Sequence, residues 1–527
     1  MHSVFTWFAA SAAIALVVAA IARQRGRSMA LPVMAAGVLV SMVPIGPDAP
    51  PEPGIVLIVI LAPLVFGEAL SSSYLDIDRV RRQVLSLAIG LVLLTTIVIG
   101  LLSSWLIGMP LALGCALGAV LAPTDAVAVS SIARKVGLPR WAVSILEGES
   151  LVNDGTGLTA LRVAIVAAVA GSVTMLEIGI VFVLAVAVGV GVGLVGGWIL
   201  SRIIAHSRDA VAANSLTLVA PFLLYYVAEH FEGSGILAVV VAALFVAHSQ
   251  TSDARQESRI DGVSLWRHVT FVLKALAFFL VGLELPATFT ALAPDERVQV
   301  GVLAVIIVAA LIVTRLFFVM GMLWLRRDRQ PDEWRVAFVG AWSGARGPVS
   351  GMAAFSIPLT MTSGEALPFR NLILATTFAV IVITLLLSST MGPMARLLKL
   401  PAEDDSALIR RVQTSLALAA ATQLNDAVEQ SALQGRPIAH EVTEPLQRSI
   451  DARLDALDED EGLDAQVGLA QRSQLARLML QAEQEELLRI RAEEGLPDSI
   501  VRPMLEQLEL RRLALDSTGD PGGRDAH

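Results

Sequence analysis

The sequence is short of the features on which most soluble proteins rely. Only 17% of its 527 residues are charged and 55% are hydrophobic, whereas a soluble domain carries about 25% charged residues. A single cysteine, Cys115, excludes a disulfide framework and a cysteine-based zinc site. The seven histidines are scattered and form no His-Glu-x-x-His or similar pair. A formal net charge of −9 leaves no basic surface for nucleic-acid phosphates. These shortages exclude a typical cytosolic enzyme, a disordered chain and a nucleic-acid binder. With a mean hydropathy of +0.68, the surplus apolar surface has to face lipid.

Charge divides the chain in two. From Pro401 to His527 there are 25 Asp/Glu against 13 Arg and no Lys, a net of −12, which leaves residues 1–400 with +3. The sequence therefore predicts a membrane domain over 1–400 and an acidic, soluble, helical tail over 401–527. In the tail, Ser406–Gln430, Asp464–Glu494 and Ser499–Leu515 carry apolar residues at three- and four-residue spacing. Gly435-Arg436-Pro437 and Gly495-Leu496-Pro497 interrupt them. No catalytic motif stands out there, and a regulatory or dimer-stabilising role is the better reading.

A spanning helix needs about 20 mostly apolar residues. Thirteen such stretches occur, at 4–22, 29–46, 53–70, 85–108, 110–132, 141–170, 174–201, 212–230, 233–248, 267–290, 298–325, 336–362 and 369–395. The odd-numbered connections between them hold eighteen basic residues and the even-numbered ones about one, Arg297. Basic loops stay cytoplasmic. This alternation predicts a multi-pass membrane protein with its N-terminus outside and its C-terminus in the cytoplasm. The first stretch lacks the basic leader of a cleavable signal and reads as a retained helix.

Charges inside these stretches are functional candidates, because each costs about 2.5–3.5 kcal/mol or more at mid-bilayer. They are Asp125, Glu149, Asp154, Arg162, Lys274, Arg315 and Arg346. Glu68, Glu147, Glu177, Glu229 and Glu284 lie nearer the ends and read as snorkelling to the interface. Asp125 follows Pro123 and Thr124; the proline opposes a continuous helix, and a broken helix in a membrane belongs where its backbone lines a cavity or meets another helix. The next stretch carries Glu147-Gly148-Glu149-Ser150-Leu151-Val152-Asn153-Asp154-Gly155, in which Ser150 and Asp154 share one helix face and Glu149 and Asn153 the adjacent one. A hydroxyl, an amide and carboxylates form an oxygen-rich patch suited to Na⁺ or Li⁺. Asp154 is the natural proton carrier, and one carboxylate that holds either a proton or a metal ion makes the two compete.

The twelfth stretch carries Ser343-Gly344-Ala345-Arg346-Gly347-Pro348-Val349, a second interruption seven stretches after the first. An odd offset reverses orientation, so stretches 1–6 and 8–13 read as inverted repeats, each broken in its fifth helix, with a site at the midplane. Arg346 either offsets helix-end dipoles at the crossing or pairs with Glu149; the ion pair is preferred, since it compensates a buried carboxylate beside Asp154. Lys274 either pairs with a core carboxylate or sits near the cytoplasmic end, and the second reading is preferred. Arg162 is read as pairing with Glu177 or tuning Asp154, and Arg315 as a subunit or repeat contact or a snorkelling residue.

Pro123-Thr124-Asp125, the run Glu147 to Gly155 and Gly344-Ala345-Arg346-Gly347 together resemble the sodium/proton exchangers of the cation:proton antiporter superfamily, in its NhaP-like bacterial branch. Phe231-Glu232-Gly233-Ser234-Gly235-Ile236 and Phe278-Phe279-Leu280-Val281-Gly282-Leu283-Glu284 look like further family segments, and the resemblance covers roughly 1–400. It implies an all-α protein of thirteen spanning helices, with a six-helix core and a dimerisation part, broken helices 5 and 12 crossing, and a homodimer in membrane lipid. It also implies a cation site of Asp125, Ser150 and Asp154 with Thr124, organised by Glu149 and Asn153, and a structural arginine at Arg346. Asn153-Asp154 looks like the electroneutral branch, exchanging one Na⁺ (or Li⁺, or K⁺) for one H⁺ through elevator-like motion, without a resident cofactor. An intramembrane hydrolase fits worse, because neither Asp125 nor Asp154 has a Gly-x-Gly-Asp context and the histidines lie near span ends. A channel, or a sensor with the acidic tail as its output, also fits worse, since channels repeat filter segments around an axial pore.

Overall fold

The computed structural model describes residues 2–43, 57–125, 138–170, 175–207, 209–249, 256–324, 333–342, 344–361, 364–400, 406–434 and 438–455, with scattered positions between 475 and 511. The described chain is helical, with one isolated bridge between Thr360 and Ala366. Contacts divide it into Met1–Glu403 and Asp404–His527. Helical segments lie over each of the thirteen apolar stretches, and among the described residues seven helices are long and apolar enough to cross a membrane. Among these are Arg140–Ala170, Met175–His206, Gln256–Thr290 and Pro294–Trp324. Shorter apolar helices include Ala30–Ser41, Leu111–Leu121 and Gly235–Ser249.

Backbone groups have no partner in hydrocarbon other than one another, which is why so apolar a chain is helical almost throughout. The surface of the bundle follows the same logic. Leu176, Val183, Leu184 and Trp198 on the Met175–His206 helix are each more than half exposed, an arrangement that belongs in lipid. Lipid tails are as apolar as leucine, so packing between such helices depends on close fit. Ala30–Ser41 lies against Gln256–Thr290 with backbone nearly touching backbone. A Cβ placed on Gly282 would stand 2.1 Å from the Met34 carbonyl oxygen, and one on Gly37 2.3 Å from that of Phe279.

Among the described residues, two of the apolar stretches are broken by several residues of non-helical backbone. The first, 110–132, is helical only as far as Leu121; Ala122 to Asp125 leave the helix, and the remainder lies outside the described residues. The second, 336–362, consists of Glu333–Trp342, an extended segment over 344–347, and Pro348–Phe355. Pro348 takes the first helical position, where its missing N–H costs nothing, and Gly347 precedes it in an extended conformation (φ −101°, ψ −170°). Proline thus restarts this helix, as it opposes continuation of the other.

In the acidic unit, Ser406–Leu433 is helical, three residues beyond the reading from sequence. His440–Asp455 is a further helix that the sequence reading did not name. Its signal is nonetheless plain, with Val442, Leu446, Ile450 and Leu454 at four-residue spacing and an Arg448–Glu444 pair one turn apart. The expected helix over 464–494 is described only in part, from 475 on, and that over 499–515 falls almost wholly outside the described residues.

The helix contact at Gly282 yields a direct test. Gly282→Val should lower the midpoint of thermal unfolding in detergent, by the equivalent of about 1–3 kcal/mol or more, because backbone cannot yield as a side chain can. The same substitution at Gly301, where an added Cβ meets nothing within 4 Å, should leave the midpoint nearly unchanged.

Candidate ion site at the crossing of two broken helices

The two interruptions touch. The Asp125 N–H donates to the Ala345 carbonyl at 2.9 Å, and the Arg346 Nε–H donates to the Leu121 carbonyl at 2.8 Å. Gly347 lies directly on Asp125: a Cβ there would be 2.7 Å from Asp125 Cβ and 2.8 Å from its Oδ2. Each break therefore supplies partners for backbone groups that the other has released, and glycine at 347 permits the approach.

The Arg140–Ala170 helix completes the crossing from one side. Ser150 Oγ donates to the Thr124 carbonyl at 2.6 Å, and Asn153 Nδ2 donates to the Thr124 hydroxyl at 3.1 Å. The Thr124 hydroxyl donates in turn to Glu149 Oε1 at 3.4 Å. Ser150, Asn153 and Asp154 are almost fully buried. Thr124 is thereby fixed through both its carbonyl and its hydroxyl.

Between these elements is a small cavity lined by Glu68, Pro123, Thr124, Asp125, Ser150, Asp154, Gly347, Pro348, Val349 and Ser350. It leaves about 10 Å³ for the centre of a water-sized body, roughly room for one water or one small ion. Asp125, Asp154, Ser150 and Thr124, named from the sequence, all line it. Asn153 does not; its amide holds Thr124 from behind. Two lining residues were missed. Ser350 Oγ is buried with no hydrogen-bond partner among the described residues, and its position in the helix after the second break, at Pro348-Val349-Ser350, was the available signal. Glu68 was read as snorkelling, but it faces the cavity and is bound by Lys274 at 2.6 Å, with side chains 15% and 8% exposed.

The expected Glu149–Arg346 pair is not formed. Arg315, from Pro294–Trp324, grips Glu149 with two parallel bonds, Nη1 to Oε1 at 2.6 Å and Nη2 to Oε2 at 2.7 Å. The fork matches the carboxylate, and a buried charge is tolerated when so compensated. Arg346 instead serves backbone: Nη1 donates to the Gly344 carbonyl, Nε to Leu121, and its own N–H to Thr384 Oγ1 at 3.2 Å. Leu121 ends the first half-helix, whose negative pole and unpaired carbonyls a guanidinium suits. The helix-end role, the less preferred one from sequence, is thus the one observed for Arg346; Arg315 is buried and does not snorkel, and of its readings the contact between the two halves of the chain is the one the fork to Glu149 fits, joining the eleventh stretch to the sixth.

Arg162 is joined to Glu229 at 2.9 Å and to the Gly233 carbonyl at 2.7 Å. Nearby, Thr159 Oγ1 donates to Ser234 Oγ at 2.8 Å, so the Phe231 to Ile236 segment is tied to the site helix two turns from Asp154. Lys274 does not take the preferred reading, a place near the cytoplasmic end; it pairs with the carboxylate of Glu68.

An apolar helical bundle in which two interrupted helices cross at a carboxylate-lined cavity is the architecture of a secondary transporter. The chain belongs to the sodium/hydrogen exchanger family: residues 9–397 match its transmembrane domain. It is 33% identical over 382 residues to a sodium, potassium, lithium and rubidium/H⁺ antiporter of Bacillus pumilus, an alignment covering 68% of this chain and 56% of that relative. An uncharacterised Na⁺/H⁺ exchanger of Mycobacterium tuberculosis is 28% identical over 507 residues, covering 92% and 91%. The fold matches that of the sodium proton antiporter MjNhaP1 from Methanocaldococcus jannaschii with a TM-score of 0.63 at 19% identity, over 75% of this chain and 98% of that one.

Breaking one side of the buried fork should cost about 3–5 kcal/mol. Glu149→Gln and Arg315→Gln are each expected to unfold at lower temperature, with the double variant recovering part of the loss. In double-mutant cycles the coupling of 149 with 315 should exceed that of 149 with 346; the reverse order would restore the Arg346 pairing.

Proposed function

We propose that the chain is a secondary antiporter that exports Na⁺ in exchange for H⁺, with Asp154 as the shared site of cation and proton. The observation that carries this reading is the cavity at the crossing, where Asp125, Asp154, Ser150 Oγ and the Thr124 backbone converge in a space for one small ion. Hard oxygen ligands suit a hard cation. A carboxylate enclosed in such a space favours having its charge compensated, either by a proton or by Na⁺. Holding both at once would leave the metal without that ligand's charge, so the two exclude each other, and exchange follows when the occupied site is presented to opposite sides in turn.

In this reading Asp125 and Ser150 are cation ligands, Thr124 lends its carbonyl, and Glu68 is a further carboxylate facing the ion. Asn153 and the Glu149–Arg315 pair hold Thr124 and the site helix, and Arg346 with Gly347 holds the crossing. Li⁺ and K⁺ are compatible with the same oxygens, and the naming of the Bacillus relative for sodium, potassium, lithium and rubidium supports a broad monovalent range. Asn rather than Asp at 153 leaves one exchangeable charge beside Asp125, which favours a one-for-one, electroneutral stoichiometry. Thirteen spans in inverted repeats, an outside N-terminus, a cytoplasmic acidic tail and a homodimer complete the proposal; the loop charges support the orientation. The channel or sensor alternative gains nothing from a space for one small ion at the crossing, and the relatives named as antiporters favour exchange.

The test is dye-reported proton flux in proteoliposomes with an acidic lumen. Added Na⁺ should dissipate the gradient without generating a voltage, and Asp154→Asn should abolish this while unfolding at a temperature close to the parent's. Retained exchange in that variant removes Asp154 from the mechanism. Competition at one carboxylate also sets a pH dependence. As pH falls through its titration range the proton occupies the site, and the half-saturating Na⁺ concentration should rise by about tenfold per pH unit. A half-saturation independent of pH would contradict a shared site.

A further inference from the structure

The helix Pro348–Phe355 begins at the cavity, and its third residue, Ser350, carries a hydroxyl that the fold leaves over. Ser350 is 1% exposed, and its Oγ has no hydrogen-bond partner among the described residues. A serine or threonine inside a helix commonly directs its hydroxyl to the carbonyl three or four residues back. Other helices of this chain do so: Thr159 donates to the Gly155 carbonyl at 2.6 Å, Thr156 to that of Val152 at 3.1 Å and Ser388 to that of Leu385 at 2.8 Å. For Ser350 those positions are 346 and 347, which belong to the break and not to a helix. The interruption that opens the crossing thus also removes the ordinary partner of this hydroxyl.

A buried hydroxyl without a partner costs free energy, so its presence needs a reason. Ser103, Thr376 and Thr377 also have buried hydroxyls without a partner among the described residues, but none of these three lines the cavity, and Ser350 does. The sources of the other lining oxygens set it apart further. Thr124 and Asp125 come from the first break, and Ser150 and Asp154 from Arg140–Ala170. From the second broken helix come Gly347, Pro348 and Val349, which have no polar side chain, and Ser350, which has one.

We propose that Ser350 is a further ligand of the exchanged cation, contributed by the second broken helix. A hydroxyl oxygen carries two lone pairs and its O–H rotates to suit, so it can serve a hard monovalent ion without any movement of the backbone. The ion then joins both breaks, which otherwise meet through the bonds of Asp125 to Ala345 and of Arg346 to Leu121. A proton on Asp154 makes no such tie. The cation-loaded and proton-loaded forms therefore differ in how firmly Pro348–Phe355 is held at the crossing. The inference rests on the reading that this cavity holds the exchanged cation.

The experiment follows Na⁺-dependent thermal unfolding of the purified full-length protein in detergent, and Na⁺-driven proton flux in proteoliposomes, for the parent, Ser350→Ala and Thr377→Val. Thr377→Val is the control, because it removes a buried hydroxyl away from the cavity lining. Without Na⁺, Ser350→Ala should unfold no lower than the parent, since a hydroxyl that bonds to nothing in the protein adds nothing to the fold. Its half-saturating Na⁺ concentration should rise roughly tenfold in both measurements, the order of one contact to a charged group. Thr377→Val should keep the parent's value. Unchanged half-saturation in Ser350→Ala, or an equal rise in Thr377→Val, overturns the proposal. A lower midpoint for Ser350→Ala without Na⁺ also overturns it, because the hydroxyl would then be serving the fold. A parent with neither Na⁺-driven flux nor Na⁺-induced stabilisation sinks the antiporter reading and this inference with it. A parent that responds, beside a Ser350→Ala protein that responds alike, sinks this inference alone.

Discussion

A helix broken inside a bilayer releases N–H and C=O groups where no water can meet them, and this constraint organises the centre of the molecule. The chain satisfies it by bringing its two breaks together. Asp125 N–H finds the Ala345 carbonyl, the Leu121 carbonyl finds the Arg346 guanidinium, and the Thr124 carbonyl finds the Ser150 hydroxyl. Each of these bonds joins segments far apart in sequence. The cavity is the small space left over, and its polar lining follows from the need to satisfy the crossing.

Three charge pairs form a second pattern, each joining two helices. Glu149 is gripped by Arg315, Glu68 by Lys274, and Arg162 by Glu229 together with the Gly233 carbonyl. A buried ion pair is poor evidence for stability, since apolar residues often do as well. It specifies position instead. The Glu149 fork orients the carboxylate that receives the Thr124 hydroxyl, so the pair reaches the cavity through one intervening residue. Of the Lys274–Glu68 pair, Glu68 lines the cavity and Lys274 holds it there.

Much of this was legible in the sequence. Apolar runs located the helices, and the interruptions at Pro123 and at Gly344 to Pro348 located the crossing, because proline and glycine act through local backbone geometry. The four-residue spacing of Ser150 and Asp154 put both on one face, and both line the cavity. Pairing was less legible. Arg315 and Arg346 are both single basic residues in apolar stretches, and which one reaches Glu149 depends on the packing of three helices rather than on any local pattern. Glu68 was misread for a related reason: nearness to a helix end in sequence says nothing about whether a neighbouring helix covers that end. The helix His440–Asp455 was overlooked although its four-residue periodicity was present.

The central claim is that one enclosed carboxylate cannot keep its proton and a metal ion together. The most direct measurement is proton release from the purified protein in weakly buffered solution at a pH where the site is protonated. Addition of Na⁺ should release one proton for each ion bound, and the Asp154→Asn protein should release none. Na⁺ binding without proton release, or equal release from the Asp154→Asn protein, would contradict the account.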